Sequence, residues 1–302
     1  MVRMRLMASL LVCALAVPAF ALNNRSAVSV NGSDLNPCTP ASPCRSFGAA
    51  IAQTNPGGEV IALDSAGYGP FTVPTSMTIS GAPGVHAALT VSSGDGITVN
   101  ATNTDIVAIR NLVLIGSGGG SGINNLQSAE LLVLDCAITN FSLDGILTQS
   151  GRLTVDHCVI HRTLLNAIEL SGTTATVAAI IGHSLIETYA NGVIVNSAAT
   201  AHITACIIAG GNVGVNVLSS TGSGAVAATA FVESSAVSYN NHSFVASASF
   251  GNNTAAIYLA QNAISFSSVG AQTSGPSTVN SFGNNRFVAV TTVGTLNLVA
   301  QQ

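Results

Sequence analysis

The chain has 302 residues, of which only 7% are charged: 12 are acidic, 8 are arginine and none is lysine, for a net charge of −4. So sparse and acidic a composition, without a basic cluster, excludes nucleic acid and anionic membrane surfaces as partners. Mean hydropathy is +0.53, yet after residue 21 no stretch offers the ~18 consecutive apolar residues of a membrane span.

In chain order, residues 1–21 read as a signal peptide. Arg3 and Arg5 form its positive start, Leu6 to Val17 its short apolar run, and Ala19-Phe20-Ala21 its cleavage site. The mature chain is therefore expected outside the cytoplasm, whether secreted, periplasmic or at the cell surface, and without a membrane span. Residues 22–58 read as an N-terminal cap. Cys38 and Cys44 stand close together in a Pro-rich loop of an exported chain, which predicts a disulfide. Ser46 is suited to cap a short helix reaching Thr54, with Phe47, Ala50 and Ile51 on one face, and Asn55-Pro56-Gly57-Gly58 is expected to end it.

Residues 59–302 are dominated by a repeat. Apolar residues at the first, third and eighth positions bracket a small residue at the sixth, as in Leu131-x-Val133-x-x-Cys136-x-Ile138, Leu153-x-Val155-x-x-Cys158-x-Ile160 and Ala201-x-Ile203-x-x-Cys206-x-Ile208. Weaker copies run to Asn285 and Phe287, with a mean step of about 25 residues, the mark of a solenoid. Leucine-rich repeats share this signature. The back half of each repeat, however, supplies a third strand opened by Gly145-Ile146, Ala167-Ile168 or Gly192-Val193, with period-two alternation and few helix formers. Three short strands per coil predict an all-β chain wound as a right-handed parallel β-helix. Cys136, Cys158 and Cys206 then belong to the inward sixth-position column as buried thiols, and Asn262 and Asn285 are placed to share hydrogen bonds along it.

The segment S-V-N-G-S-D-L-N-P-C-T-P-A-S-P-C-R-S-F followed by G-G-E-V-I-A-L-D-S-A-G-Y-G-P-F resembles the entry segment of bacterial exported right-handed β-helix repeat proteins. The G-I coil openings and the closing N-S-F-G-N-N-R-F resemble their repeats and last turn. That resemblance, within the pectate-lyase-like superfamily, implies a fold and little chemistry.

No complete catalytic set stands out. Asn103-Thr104-Asp105 and Gly182-His183 match fragments of a polygalacturonase site, but they lie too far apart for neighbouring coils, and the paired aspartates and the lysine of that site are missing. Titratable residues instead crowd between 130 and 187. The repeat places Asp135, His157 and His183 in one outward column just before the small inward residue. Thr139, His161 and Glu187 form a second, just after the last inward residue, and Asp144, Asn166 and Asn191 a third, read as turn chemistry. The face carrying Asp135, Asp156, His157, His161, His183 and Glu187 is the candidate ligand-binding face. No metal or other cofactor is expected, because a flat stack of two imidazoles does not converge on one tetrahedral point. A polysaccharide or cell-envelope glycan is the expected partner. The first functional reading is a non-catalytic glycan- or envelope-binding surface protein. The second is a polysaccharide lyase or glycoside hydrolase working on the same lateral face, and the third a self-associating structural protein of the cell surface.

Overall fold

The computed structural model describes residues 22–172, 176–220, 227–249, 253–294 and 296–300. The expected signal peptide lies outside the described residues. Among them, every named strand pairs in parallel, and the strands fall into three sheets of 12, 10 and 10. One coil visits each sheet once. Glu130–Leu134 lies in the first sheet, Ala137–Thr139 in the second and Ile146–Thr148 in the third, and Gly151–Asp156 begins the next coil on top of Glu130–Leu134. The protein is thus a right-handed parallel β-helix.

The register expected from the repeat is the register formed. Ile138 pairs with Ile160, Ile160 with Ile186 and Ile186 with Ile208, and all four are fully buried. Like shapes stack about 4.8 Å apart in this direction, so a column of one branched aliphatic residue packs on itself from coil to coil.

The bend between the first and second sheets explains the polar residues found there. Asn111, Asp135, His157, His183, Ala205, Ser234 and Gln261 occupy it in successive coils, with φ between 46° and 57°. This left-handed region is costly for most side chains but is several-fold enriched in Asn, Asp and His. From Asp135 onward the next residue is a short inward one with a hydrogen-bonding group, and it has a shared task. Ser184 Oγ donates to the Gly182 carbonyl (2.7 Å) and Ser235 Oγ to that of Glu233 (2.8 Å). The thiols of Cys136, Cys158 and Cys206 lie 3.3–3.4 Å from the equivalent carbonyls of Leu134, Asp156 and Thr204. The column therefore wants a short side chain with one donor, and all three cysteines are buried and unbridged. Asn262 and Asn285 extend the same logic. Asn262 Nδ2 reaches the Val232 carbonyl (2.8 Å) and Asn285 Oδ1 (3.0 Å).

At the N-terminus Cys38 and Cys44 are disulfide-bonded, with Cα atoms 4.6 Å apart. Ser46 caps a helix over Phe47–Ala52, its side chain accepting from Ala49 N. Phe47 closes the end of the core, its ring centroid 5.2 Å from that of Tyr68 and 4.7 Å from that of Phe71. The structure differs from expectation on either side of this helix. Asn23–Val28 is already a strand, paired with the first sheet, and the helix gives way at Thr54 to a strand that runs to Ala62. Pro56, Gly57 and Gly58 interrupt the pairing as a bulge between Asn23 and Arg25 rather than ending a helix. Proline is tolerated at such a bulge because no ladder donor is needed there.

Candidate functional site

Structure and sequence agree that His157 and His183 stack, and the structure adds what holds them. Their rings lie 5.0 Å apart at 15°. Asp156, the last residue of its first-sheet strand, projects between them. Its Oδ2 is 2.9 Å from His157 Nδ1 and its Oδ1 is 2.9 Å from His183 Nδ1 in the next coil. The residue stacked on Asp156 is Gly182, and a Cβ there would sit 3.0 Å from Asp156 Oδ1. The missing side chain is what lets the carboxylate lean across to the neighbouring coil. Partial burial pulls the Asp156 carboxyl up, but the His183 and His157 hydrogen bonds outweigh it and hold the group below the usual carboxylate range. The stack is as flat as expected, and each imidazole turns Nδ1 toward its own oxygen of one carboxylate. Asp135 stands one coil earlier in the same column, also with left-handed φ, and among the described residues it joins no cluster with these three.

His161 and Glu187 lie at the other edge of the second sheet. They pair in register, about 13 Å along the strand from the first group, counting four residues at ~3.3 Å each. There the chain turns toward the third sheet through a second left-handed position, occupied by Asn140, Arg162, Gly210, Tyr239 and Phe266. The coil containing Glu187 lacks this residue: Glu187 and Thr188 are consecutive, where His161 and Thr163 are separated by Arg162. Thr163 and Thr188 bridge the gap on the inside, their hydroxyls 2.8 Å apart. On the outside, one residue fewer and a glycine in the following coil leave a notch. It measures about 270 Å³ and is lined by Arg162, Glu187, Thr188, Tyr189 and Gly210. A second cleft of about 330 Å³ adjoins it through Arg162 and Tyr189 and extends over Leu164, Phe141 and Gly118. Among the described residues no ion pair engages Arg162.

The Asp144, Asn166 and Asn191 column is more than turn chemistry. Asn166 Nδ2 donates to Asp144 Oδ1 (2.9 Å) and to Glu169 Oε2 (2.7 Å), Asn191 donates to Asn166 Oδ1, and Asn196 to Glu169 Oε1. Burial pushes both carboxyls up, with Asp144 adding to the effect on Glu169. Every oxygen of the pair has a protein partner, Ser121 taking the last at 3.5 Å.

Reading the repeat for titratable groups missed the aromatic residues of the later coils. Phe231 and Tyr258 stack at 4.9 Å on the outer face of the first sheet, with His202 edge-on to Phe231. Tyr239 and Phe266 stack at 5.0 Å on the second corner. Each pair is separated by about one repeat length, and that common offset was the available signal. Asp105, from the fragment Asn103-Thr104-Asp105, accepts hydrogen bonds from Ser76 and Thr102, which hold its carboxyl far below its usual range. It staples a turn, and a cleft of about 540 Å³ beside Asn103 and Ser128 is lined by no titratable residue.

No protein family matches the chain's sequence, and no characterised protein matches it either. Solved structures match the fold. Tailspike protein 2 of an Escherichia coli O157:H7 bacteriophage is 11% identical over 83% of this chain, with a TM-score of 0.58, and the match spans 40% of the tailspike. Pectate lyase Pel9A is 14% identical over 94% of this chain and 80% of its own, at 0.57. A rhamnogalacturonan lyase is 13% identical over 80% and 74%, also at 0.57. The chain thus shares the parallel β-helix fold of these structures.

Proposed function

We propose that this is an exported protein that binds a linear polysaccharide along the corner between the second and third sheets. The observation that carries the proposal is the notch made by the missing residue above Arg162, with Arg162, Glu187 and Tyr189 around it. The same corner continues as a ridge of flat exposed side chains: Tyr189 is 62% exposed, Tyr239 65% and Phe266 54%. Arg162 and Phe266 are four coils apart, roughly 19 Å at ~4.8 Å per coil. An extended glycan chain laid along this line meets a ring face, a guanidinium or a notch at nearly every coil. Aromatic faces offer apolar contact with little conformational freedom to lose. Arg162 offers paired donors to a carboxylate or to vicinal hydroxyls. His161 sits beside Glu187 on the approach to the notch, while Asp135, Asp156, His157 and His183 line the opposite edge of this lateral face. The Cys38–Cys44 disulfide supports export, because such bonds persist in oxidising compartments. Two of the solved structures of the same fold are named for action on polysaccharides, which agrees with a glycan as the ligand.

The test is retention on a panel of acidic and neutral polysaccharides, measured by affinity electrophoresis and calorimetry. Arg162→Ala and Tyr189→Ala should each weaken binding about tenfold or more, equivalent to ~1.4 kcal/mol, with thermal stability preserved. Binding that survives the double substitution overturns the proposal.

Catalysis is the second reading, favoured by the two carboxyls with raised pKa that share the Asn166 amide. Such a pair suits a general acid next to a second carboxylate. Release of reducing or unsaturated ends from a bound polysaccharide, abolished in Glu169→Gln, would establish it. Binding without product release leaves the first reading alone.

A further inference from the structure

We propose that Asp156, His157 and His183 form a binding site for one divalent transition-metal ion of the zinc class. The three side chains supply one carboxylate oxygen and two imidazole nitrogens, and these ligand atoms all lie within 4.8 Å of one another. Each histidine Nδ1 already lies 2.9 Å from an oxygen of Asp156, His157 from Oδ2 and His183 from Oδ1. Ligands arranged tetrahedrally around an ion at 2.0–2.1 Å stand roughly 3.3–3.4 Å apart. The two nitrogen–oxygen contacts therefore have to open by about 0.4 Å, and the imidazoles to turn toward a common point beside the carboxylate. Both histidine side chains are more than half exposed, 60% and 57%, so their rings have room to rotate.

Three features make this a built arrangement rather than a chance meeting. The backbone fixes the spacing, because Asp156 and Gly182 are paired rungs of one parallel ladder and each is followed by its histidine. The left-handed φ of both histidines, 52° and 46°, swings the two side chains out of the corner in the same direction. Gly182 opens the space into which the Asp156 carboxylate leans, and a Cβ there would meet Oδ1 at 3.0 Å. Among the described residues, the only ion pairs of Asp156 are with these two histidines, so no arginine competes for it.

The donor set decides which ion. Two imidazoles and a carboxylate suit zinc, nickel or copper, whereas calcium and magnesium require oxygen ligands in greater number. Three protein ligands on an exposed corner leave the outward coordination position to water or to a ligand oxygen. The site lies across the second sheet from the notch around Arg162 and does not depend on glycan binding there.

The experiment is titration of the purified chain, free of any affinity tag, with zinc sulfate, followed by calorimetry and by thermal unfolding. The expected result is one zinc bound per chain, a rise in Tm with zinc, and no competition from a large excess of calcium. His157→Asn and His183→Asn keep a residue that tolerates the left-handed backbone while removing the imidazole. Each should weaken zinc binding by more than about tenfold, since even groups that only orient a ligand are worth 10–100-fold. Gly182→Ala should weaken it as well, with the metal-free fold unchanged by circular dichroism, because the new Cβ would displace the Asp156 carboxylate. Equal zinc affinity in the parent and in both histidine variants overturns the proposal. So does a stoichiometric site that disappears in His202→Ala, which would assign the metal to the His202–Glu233 pair, or the absence of saturable binding at millimolar zinc.

Discussion

Coils between residues 130 and 187 carry eleven acidic, basic or histidine residues, whereas only His202, Glu233, His242 and Arg286 follow. Inside, the two regions are nearly the same. Ile160 and Ile186 give way to Val237 and Ile264 in one fully buried column. Outside they differ in kind: the earlier coils present imidazoles, carboxylates and a notch, the later coils stacked rings. The inward columns answer to shape, which stacking forces to repeat. The outward columns answer only to backbone conformation and solvent. One solenoid can therefore change its surface chemistry along its length at little cost to its core.

The largest effect expected from this division comes from breaking the inner column. Ile160→Asp should abolish folding, because an unpaired carboxyl in the core costs several kcal/mol against a total stability of ~5–15 kcal/mol. His161→Ala, one residue later and facing out, should leave the melting temperature within a few degrees. Circular dichroism on both variants checks the pair, and similar stability for the two would mean that inside and outside have been exchanged.

The bend column should show a smaller, graded difference between the two regions. Asn262 serves the Val232 carbonyl, Asn285 Oδ1 and, through its own Oδ1, the Ser235 amide at 3.0 Å. Asn262→Ala strands several buried polar groups and should cost about 2–4 kcal/mol. Cys158→Ala removes a weak sulfur donor and one heavy atom, and about 1–2 kcal/mol is expected. Urea denaturation of both variants orders them, and a reversed order would show that the amide ladder of the later coils is dispensable.

How far such columns can be read from sequence depends on what fixes them. The inward residues, the three parallel sheets and the buried thiols were legible because stacking at a fixed repeat leaves one register. The strand at Asn23–Val28 was not, since Asn-Asn-Arg-Ser carries no apolar alternation and is held by its partner at Glu59–Ala62. The candidate face was legible as a set of columns, but its chemistry was not. The reach of Asp156 to His183 depends on Gly182 being empty, a relation between two coils rather than a property of either. The notch above Arg162 is likewise an absence, one residue missing from one coil, which becomes visible only when Thr163 is seen beside Thr188.

Surface stacking in the later coils should matter less for stability. Tyr239 and Phe266 are both exposed, so their contact is worth at most the ~0.5–1.5 kcal/mol of an aromatic pair. Tyr239→Ala should lower the unfolding free energy by less than about 1 kcal/mol while weakening polysaccharide retention. A larger loss of stability would mean that the ring is part of the fold.

The smallest effect expected is a gain, and it tests the polar network on the third sheet. Burial pushes the Asp144 carboxyl up from its usual 3.8, Asn166 and Ser121 oppose that with hydrogen bonds, and Asp95 adds repulsion. Glu169, raised from 4.5, faces the same Asn166 amide. An acid whose folded pKa lies above its unfolded one keeps its proton in the folded chain after the unfolded chain has released it. Its contribution to stability therefore falls as pH rises from 3.8 through the folded pKa, and stays at its lowest above that point. Asp105, lowered by Ser76 and Thr102, acts in the opposite sense: its contribution is full above 3.8 and is lost as pH falls below it. Asp144→Asn removes the first contribution and leaves the second. The asparagine still accepts from Asn166 through its oxygen, while Ser121 can turn its hydroxyl to receive the new amide. The variant should thus be more stable than the parent at about pH 7, with the advantage shrinking toward about pH 3.5, where Asp144 is protonated in most of the unfolded chains as well as in the folded one. Urea midpoints at the two pH values measure it. An advantage that does not change with pH would mean that Asp144 titrates as an ordinary surface aspartate, and the case for a shared acid pair on this face would fall with it.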